Sequence, residues 1–428
     1  MNAIDSAAAP PRYFAATITI GILFFIFGFV TWLNGPLITY VKLAFDLDDV
    51  NAFLVPMAFY LSYFFLALPA SWILARTGMK RGMALGLFVM AVGAAVFGQF
   101  ATLRIYPGAL AGLFVIGAGL ALLQTAANPY ISILGPIESA AQRIAFMGIC
   151  NKFAGIVAPI LLGLFVLRDI GGFADKVAAA SGADKQALLD EFAAKVHMPY
   201  MLMAGLLALL GVGILRSVLP EIDARTANAD AGGKHADRRS VFAYPHLWLG
   251  VLCLFVYVGV EVMAGDAIGT YGQGFHLPLD QTKFFTAFTL TAMLIGYGAG
   301  LLLIPRLVSQ QAYLAFSAVL GLVFCAAAYF TRDYASVGFV AALGFANAMM
   351  WPAIFPLAIR GLGRHTELGS ALLIMGIAGG AIIPQLFAHL KTPGNFQLVF
   401  CAIMLPCYAY ILYYALQGFR AGAPGTRG

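Results

Sequence analysis

The chain alternates long apolar runs with short polar breaks, and the runs share one length. They cover residues 13–40, 52–75, 83–103, 107–134, 144–166, 199–218, 246–271, 284–304, 311–330, 335–360, 370–390 and 396–417. Each approaches the ~20 residues that a helix needs to cross a hydrocarbon layer about 30 Å thick. The pattern predicts an all-α membrane protein of twelve transmembrane helices, spans 1 to 12 in chain order. Two longer polar segments punctuate it. In the first, residues 168–197, the apolar Leu188, Leu189, Phe192 and Val196 recur at helical spacing on a charged stretch, which predicts a surface helix lying on the protein or on lipid headgroups. The second, residues 220–243, is rich in Ala, Asp, Gly, Lys and Arg without an apolar period, the composition of a flexible linker. It divides the spans six and six. The expected organisation is a cytoplasmic N-terminus (1–12), an N-terminal six-helix bundle (13–218), a cytoplasmic linker (219–243), a C-terminal six-helix bundle (244–418) and a cytoplasmic tail (419–428).

Composition sharpens this picture. Of 428 residues, 61% are hydrophobic and 10% charged, which excludes a soluble globule. Lys and Arg gather in the loops on the side of the termini, as in Arg76-Thr77-Gly78-Met79-Lys80-Arg81, while Asp46, Asp48 and Asp49 lie on the other side. Retained positive charge marks the cytoplasmic face, so both termini are expected inside. The net charge of +6 then reflects topology and attraction to anionic membrane lipid, with no sign of a nucleic-acid partner. Span 1 is too long for a removable signal and lacks a small-residue cleavage site. Cys150, Cys253, Cys325, Cys401 and Cys407 all fall within spans, where no loop disulfide framework can be built from them. The six histidines are scattered without metal-ligand spacing or a nucleophile context, so no enzyme, metal or cofactor is expected.

The chemistry concentrates in span 7. Its stretch Tyr257 to Tyr271 carries two acids, Glu261 and Asp266, inside an apolar run. An acid at membrane depth is costly unless it is neutral, paired or facing water, which makes it a functional-site candidate. On one helix the two would stand about 7 to 8 Å apart along the axis and on different faces. Glycines at 259, 265, 269, 272 and 274 point to a bent or broken helix, the kind that lines transporter binding sites near the midplane. Span 5 contributes a cation, Lys152, about 12 Å along its helix from Ile144. Amides recur at Asn34, Gln124, Asn128, Asn151, Asn347 and Gln385, and rings at Trp32, Tyr257, Tyr297 and Trp351.

A faint internal repeat sets Gly21-Ile-Leu-Phe-Phe-Ile-Phe-Gly-Phe-Val30 on Gly250-Val-Leu-Cys-Leu-Phe-Val-Tyr-Val-Gly259, span 1 on span 7. Two longer motifs are more specific. Span 4 reads Gly119-Leu-Ala-Leu-Leu-Gln124-Thr-Ala-Ala-Asn128-Pro129-Tyr-Ile-Ser-Ile-Leu-Gly135-Pro136. Span 10 and its loop read Trp351-Pro352-Ala-Ile-Phe355-Pro-Leu-Ala-Ile-Arg-Gly-Leu362-Gly363-Arg-His-Thr366-Glu-Leu-Gly369-Ser370. In both, the chain resembles the fucose:proton symporter family of the major facilitator superfamily, which includes bacterial fucose, glucose/galactose and N-acetylglucosamine permeases. The resemblance runs from about residue 20 to 415. It implies the major facilitator fold, two six-helix halves around a central site. It also implies uptake of a hexose-type sugar across a bacterial inner membrane, coupled to H⁺ or Na⁺, by a monomer.

Four positions depart from that family. The carboxylate expected after Asn34 is Gly35, and the one the fucose member carries before Thr125 is Gln124. The Gly-Arg-Phe of span 8 is Gly296-Tyr297-Gly298, while the Phe-Asn-Ser of span 5 is Cys150-Asn151-Lys152. A cation has moved between spans that face one another in this fold. The expected substrate contacts are Asn34, Gln124, Asn128, Asn151, Tyr257, Glu261, Asn347 and Trp351. Glu261 is the first choice for coupling, as the acid at cavity depth able to exchange a proton between the two sides, and Asp266 the second. Lys152 is expected to pair with an acid or with carbonyls of the opposite half. Two alternatives stay open: an uncoupled sugar facilitator, in which Lys152 replaces a travelling cation, and a drug:proton antiporter, echoed by Ala158-Pro159-Ile-Leu-Leu-Gly163.

Overall fold

A computed structural model describes residues 10–133, 140–217, 219, 240–304, 307–362 and 365–422. Most of the expected linker, both chain ends, and Leu134, Gly135, Pro136, Gly363 and Arg364 of the two motifs lie outside the described residues. Among those described, twelve helical segments are long and apolar enough to cross a membrane: Ala16–Ala44, Asp49–Thr77, Met79–Thr102, Tyr106–Asn128, Arg143–Phe165, Gly182–Arg216, Pro245–Gly265, Leu279–Leu303, Gln310–Phe330, Asp333–Ile359, Leu368–Leu390 and Phe396–Leu416. They coincide with spans 1 to 12, the sixth carrying the helix Gly182–Ala194 of the preceding polar segment ahead of its crossing helix His197–Arg216, and the chain is a multi-pass membrane protein. An even number of crossings puts the start of span 1 and the end of span 12 on one side.

The two halves pair their helices in the same way. Span 1 packs on span 5, span 2 on span 4, and span 3 on spans 4 and 6; span 7 packs on span 11, span 8 on span 10, and span 9 on spans 10 and 12. Lipid gives apolar helices no hydrophobic reason to associate, so close backbone approach through small residues has to supply the attraction. Spans 3 and 4 do this with glycine. A Cβ on Gly93 would lie 2.6 Å from the Ile116 nitrogen, and one on Gly112 would lie 2.5 Å from the Phe97 nitrogen. The halves meet along two seams, span 2 with span 11 and span 5 with span 8.

Breaks fall in the spans around the centre. Span 1 divides into Pro10–Trp32 and Asn34–Ala44, span 10 into Asp333–Asn347 and Met350–Ile359, and span 11 has a tightened turn at Gly376–Ala378. Span 7 ends its first helix at Gly265 and resumes as Ile268–Gln273. A break in hydrocarbon leaves carbonyls that water cannot satisfy, so neighbours must do so. Span 8 provides them: Thr289 Oγ1 donates to the Ala264 carbonyl at 2.7 Å and Thr286 Oγ1 to the Gly265 carbonyl at 2.8 Å.

The end of the molecule away from the termini is closed by contacts between halves. Asp49 is held at 2.6 Å by Lys42 of its own half and also by Lys391 of the other. Gln385 donates to the Val50 carbonyl at 3.0 Å. Lys283 reaches the Leu167 carbonyl at 2.8 Å, while Asp280 accepts from the backbone N–H groups of Ile170 at 3.2 Å and Gly171 at 3.0 Å. The polar segment between spans 5 and 6 forms helices Ile170–Ala179 and Gly182–Ala194 on this end. Leu189, Phe192 and Val196 are buried, and the Tyr40 hydroxyl donates to the Ala193 carbonyl at 2.7 Å. The segment lies on protein.

The glycine seam between spans 3 and 4 gives a direct test. Gly112→Val should destabilise the protein by about 1–3 kcal/mol through overpacking, read as a lower thermal midpoint in detergent. Gly213→Val, where a Cβ meets open space, should leave the midpoint unchanged.

Candidate functional site

A cavity opens between the halves and extends from the middle of the molecule toward the end bearing the termini. Its walls come from Gln124 and Asn128 of span 4, Asn151 and Lys152 of span 5, Tyr257 and Glu261 of span 7, Tyr297 of span 8 and Trp351 of span 10. Trp32, Tyr60 and Tyr63 complete it from spans 1 and 2. Lys152 and Glu261 are the two charged residues of this wall, and they meet: Lys152 Nζ stands 2.9 Å from Glu261 Oε1, with 9% and 12% of the side chains exposed.

The residues around the pair shape its surroundings. The Lys152 ammonium sits 4.6 Å from the centre of the Trp32 ring, a cation–π contact that favours its charge. That ring fits because Gly155 and Gly265 leave room on either side; a Cβ on Gly155 would lie 2.5 Å from Trp32 Cδ1. Gly148 admits Tyr297 in the same way, since a Cβ there would lie 2.6 Å from the ring. Tyr297 thus occupies, as an aromatic wall, the position where the family resemblance expects a cation. The amides are anchored at one end, with Gln124 Nε2 on the Tyr63 hydroxyl at 3.2 Å and Asn151 Nδ2 on the Phe24 carbonyl at 3.4 Å. Both residues line the cavity.

Not every expected residue is here. Asn347 is fully buried and turned away, its Oδ1 accepting from the Tyr408 hydroxyl at 2.9 Å, so it bridges spans 10 and 12 and does not face the cavity. It is no part of the cavity wall in this structure. The break in span 10 begins immediately after it and rotates Trp351, not Asn347, onto the cavity. Asn34 and Asp266 lie beyond the cavity's closed end, each 1% exposed. Asn34 faces the Tyr60 hydroxyl. Asp266 Oδ2 accepts from that hydroxyl at 3.3 Å, and its Oδ1 is buried without a hydrogen bond. Asp266 also abuts Gly35: a Cβ built on Gly35 would stand 3.2 Å from Asp266 Oδ1 and collide with Thr286 Oγ1. The site that resembles a family carboxylate position in span 1 is therefore filled by an acid from span 7. Sequence reasoning passed over Tyr60 and Tyr63. Their spacing, which puts both on one helical face, was the only signal in an aromatic run from Phe59 to Phe65.

Twelve spans in two matching halves, with a polar cavity and an internal ion pair between them, define a secondary transporter. Residues 20–384 match the family described as the Major Facilitator Superfamily. The chain belongs to that superfamily, in the branch of the bacterial fucose and glucose/galactose transporters. It is 33% identical to the glucose/galactose transporter of Brucella abortus, across 96% of this chain and 95% of the relative. It is 29% identical to the L-fucose-proton symporter of Escherichia coli, across 98% and 96%. The crystal structure of the E. coli fucose:proton symporter superposes with a TM-score of 0.71 at 25% identity, covering 94% of this chain and 98% of that one. These relatives are transporters, not enzymes.

The ion pair makes a prediction of sign. Lys152→Met or Glu261→Gln alone leaves a buried group without its partner and should cost about 3–5 kcal/mol, while the two together should recover most of the loss. A double-mutant cycle in thermal unfolding measures it. Strictly additive losses would show that the two side chains do not interact.

Proposed function

We propose that this protein moves a neutral hexose-type sugar across a bacterial inner membrane by alternating access, driven by a co-transported cation, with both termini in the cytoplasm. The wall of the cavity carries this reading. A sugar offers hydroxyls that need amide and carboxylate partners and an apolar ring face that needs an aromatic surface. Gln124, Asn128, Asn151 and Glu261 supply the first, and Trp32, Tyr257, Tyr297 and Trp351 the second. The relatives named as glucose/galactose transporters and L-fucose-proton symporters support the same substrate class. On this reading the closed end faces outward and the cavity faces the cytoplasm. Glu261 both receives sugar hydroxyls and tethers Lys152, so substrate binding and the contact between halves draw on one carboxylate.

A second reading has a specific observation behind it. Lys152 against Glu261 is a resident cation in the place where a travelling one could act, which suits an uncoupled facilitator. A drug antiporter fits less well, because its lipophilic substrates leave three cavity amides without a purpose.

Gln124→Ala and Asn151→Ala should each weaken sugar binding by about 1–3 kcal/mol, the cost of an unsatisfied buried partner. Titrations with glucose, galactose, fucose, mannose, fructose and N-acetylglucosamine check this, followed by uptake into liposomes under imposed pH or Na⁺ gradients. If no sugar responds to either change and a lipophilic cation binds tightly, the antiporter reading replaces this one.

A further inference from the structure

The buried charges at the centre do not balance. Glu261 and Asp266 are two carboxyl groups, and Lys152 is the one ammonium of the cavity wall. Lys152 is committed to Glu261 at 2.9 Å. Asp266 has no ion-pair partner among the described residues, and the groups set against it are neutral: the Tyr60 hydroxyl from span 2, with Asn34 behind it, and the Gly35 backbone from span 1, with Thr286 of span 8 beside that glycine. The nearest charges acting on it are Glu261 and Lys152 themselves. One proton neutralises the cluster. Placed on Glu261, it would strand the Lys152 ammonium; placed on Asp266, it leaves the ion pair intact and removes a lone buried charge.

Position gives that proton a route. Asp266 sits where the halves touch at the closed end, against Gly35 and Tyr60 of the opposite half, so separation of this end would open it to the outer solution. Tyr60 reaches both ways: its hydroxyl donates to Asp266 Oδ2, and the residue lines the cavity beside Glu261. We propose that Asp266 is the proton-carrying group of this transporter, loaded from the outer side and emptied through Tyr60 into the central cavity. The inference rests on the reading of the chain as a sugar symporter. In the unloading step Asp266 gives its proton to the Tyr60 oxygen as the Tyr60 hydroxyl proton passes to cavity water. The carboxylate left behind favours reopening of the outer end, where water solvates it. Closure over an ionised Asp266 would bury an unpaired charge, so the outer end closes only over a loaded one. Glu261, held by Lys152, serves the sugar.

Asp266→Asn, a permanently neutral match in shape, separates these roles. In liposomes with an acid-outside pH gradient, wild-type protein should concentrate labelled galactose or glucose. The Asn variant should lose accumulation altogether while exchange of labelled for unlabelled sugar shows that it is folded. A second readout needs no sugar. A cysteine at Thr270, buried at the closed end, should be protected from a maleimide at acid pH and exposed at alkaline pH in the wild-type background, relative to denatured protein. In Asp266→Asn it should stay protected throughout. Accumulation retained by the Asn variant, accumulation that follows Na⁺ and ignores pH, or an unchanged labelling profile would each overturn the proposal. Wild-type protein that moves no sugar but shows the Asp266-dependent labelling would sink the sugar reading and leave the proton site standing. Should Asp266→Asn fail to fold, Tyr60→Phe removes only the hydroxyl on Asp266. Loss of pH-driven accumulation then supports the route, and its retention overturns it.

Discussion

One ammonium and one carboxylate face each other across the interface of two helix bundles, and the centre of the molecule is arranged around them. Taking either charge out of water alone is unfavourable, so Lys152 and Glu261 stabilise each other chiefly by removing a penalty that each would otherwise carry. The low dielectric that makes the penalty large also makes the attraction strong. The pair ties span 5 to span 7, the two halves to one another, at the depth where a substrate would sit. Gly148, Gly155 and Gly265 are then needed for what surrounds it, because they make room for Tyr297 in the cavity wall and for Trp32, whose ring lies against the Lys152 ammonium. On the proposed reading, a sugar hydroxyl that competes for Glu261 would act on the contact between halves directly.

The break in span 7 is the second constraint, and it follows from the same shortage of water. A helix that ends inside hydrocarbon has to hand its carbonyls to a neighbour. Thr286 and Thr289 accept that task from span 8, which fixes span 8 against span 7 within the C-terminal half. Asp266, the residue that caps the first helix, lies on another face from Glu261 and against span 1, where the missing side chain of Gly35 makes the space it enters. Two features that look like separate oddities, a glycine in span 1 and a second acid in span 7, are one packing solution.

Much of the fold is legible because it depends on quantities that survive without coordinates. Span length follows from membrane thickness, and the polar linker divides the twelve helices evenly, so the two-bundle architecture needs no contact information. Lys152 and Glu261 stand out because charge at that depth is rare. What sequence cannot supply is the rotation of each helix about its own axis. Asn347 and Gln124 are both amides at similar depth, yet packing turns the first onto Tyr408 and the second onto the cavity. Tyr60 is hidden among the aromatics of span 2 because its importance comes from the oxygen it meets in the other half. Such pairings are set by tertiary packing and leave no local pattern.

The two ends of the transporter are held by unequal means. At the closed end, Asp49 with Lys42 and Lys391, and Asp280 with Lys283 and the start of a surface helix, are ion pairs near solvent. Pairs of this kind contribute little on balance, because water screens them and solvates their members almost as well when they part. They register the halves correctly without deciding whether the halves stay together. The buried cluster is different, since a single unbalanced charge there outweighs several surface pairs. Conformational preference in such a molecule is governed less by the number of contacts made across its gate than by whether the few charges beneath it sum to zero. With Asp266 as the proposed proton carrier, gating and coupling would draw on one electrostatic term, the means by which a fold built almost wholly from apolar helices would respond to a proton.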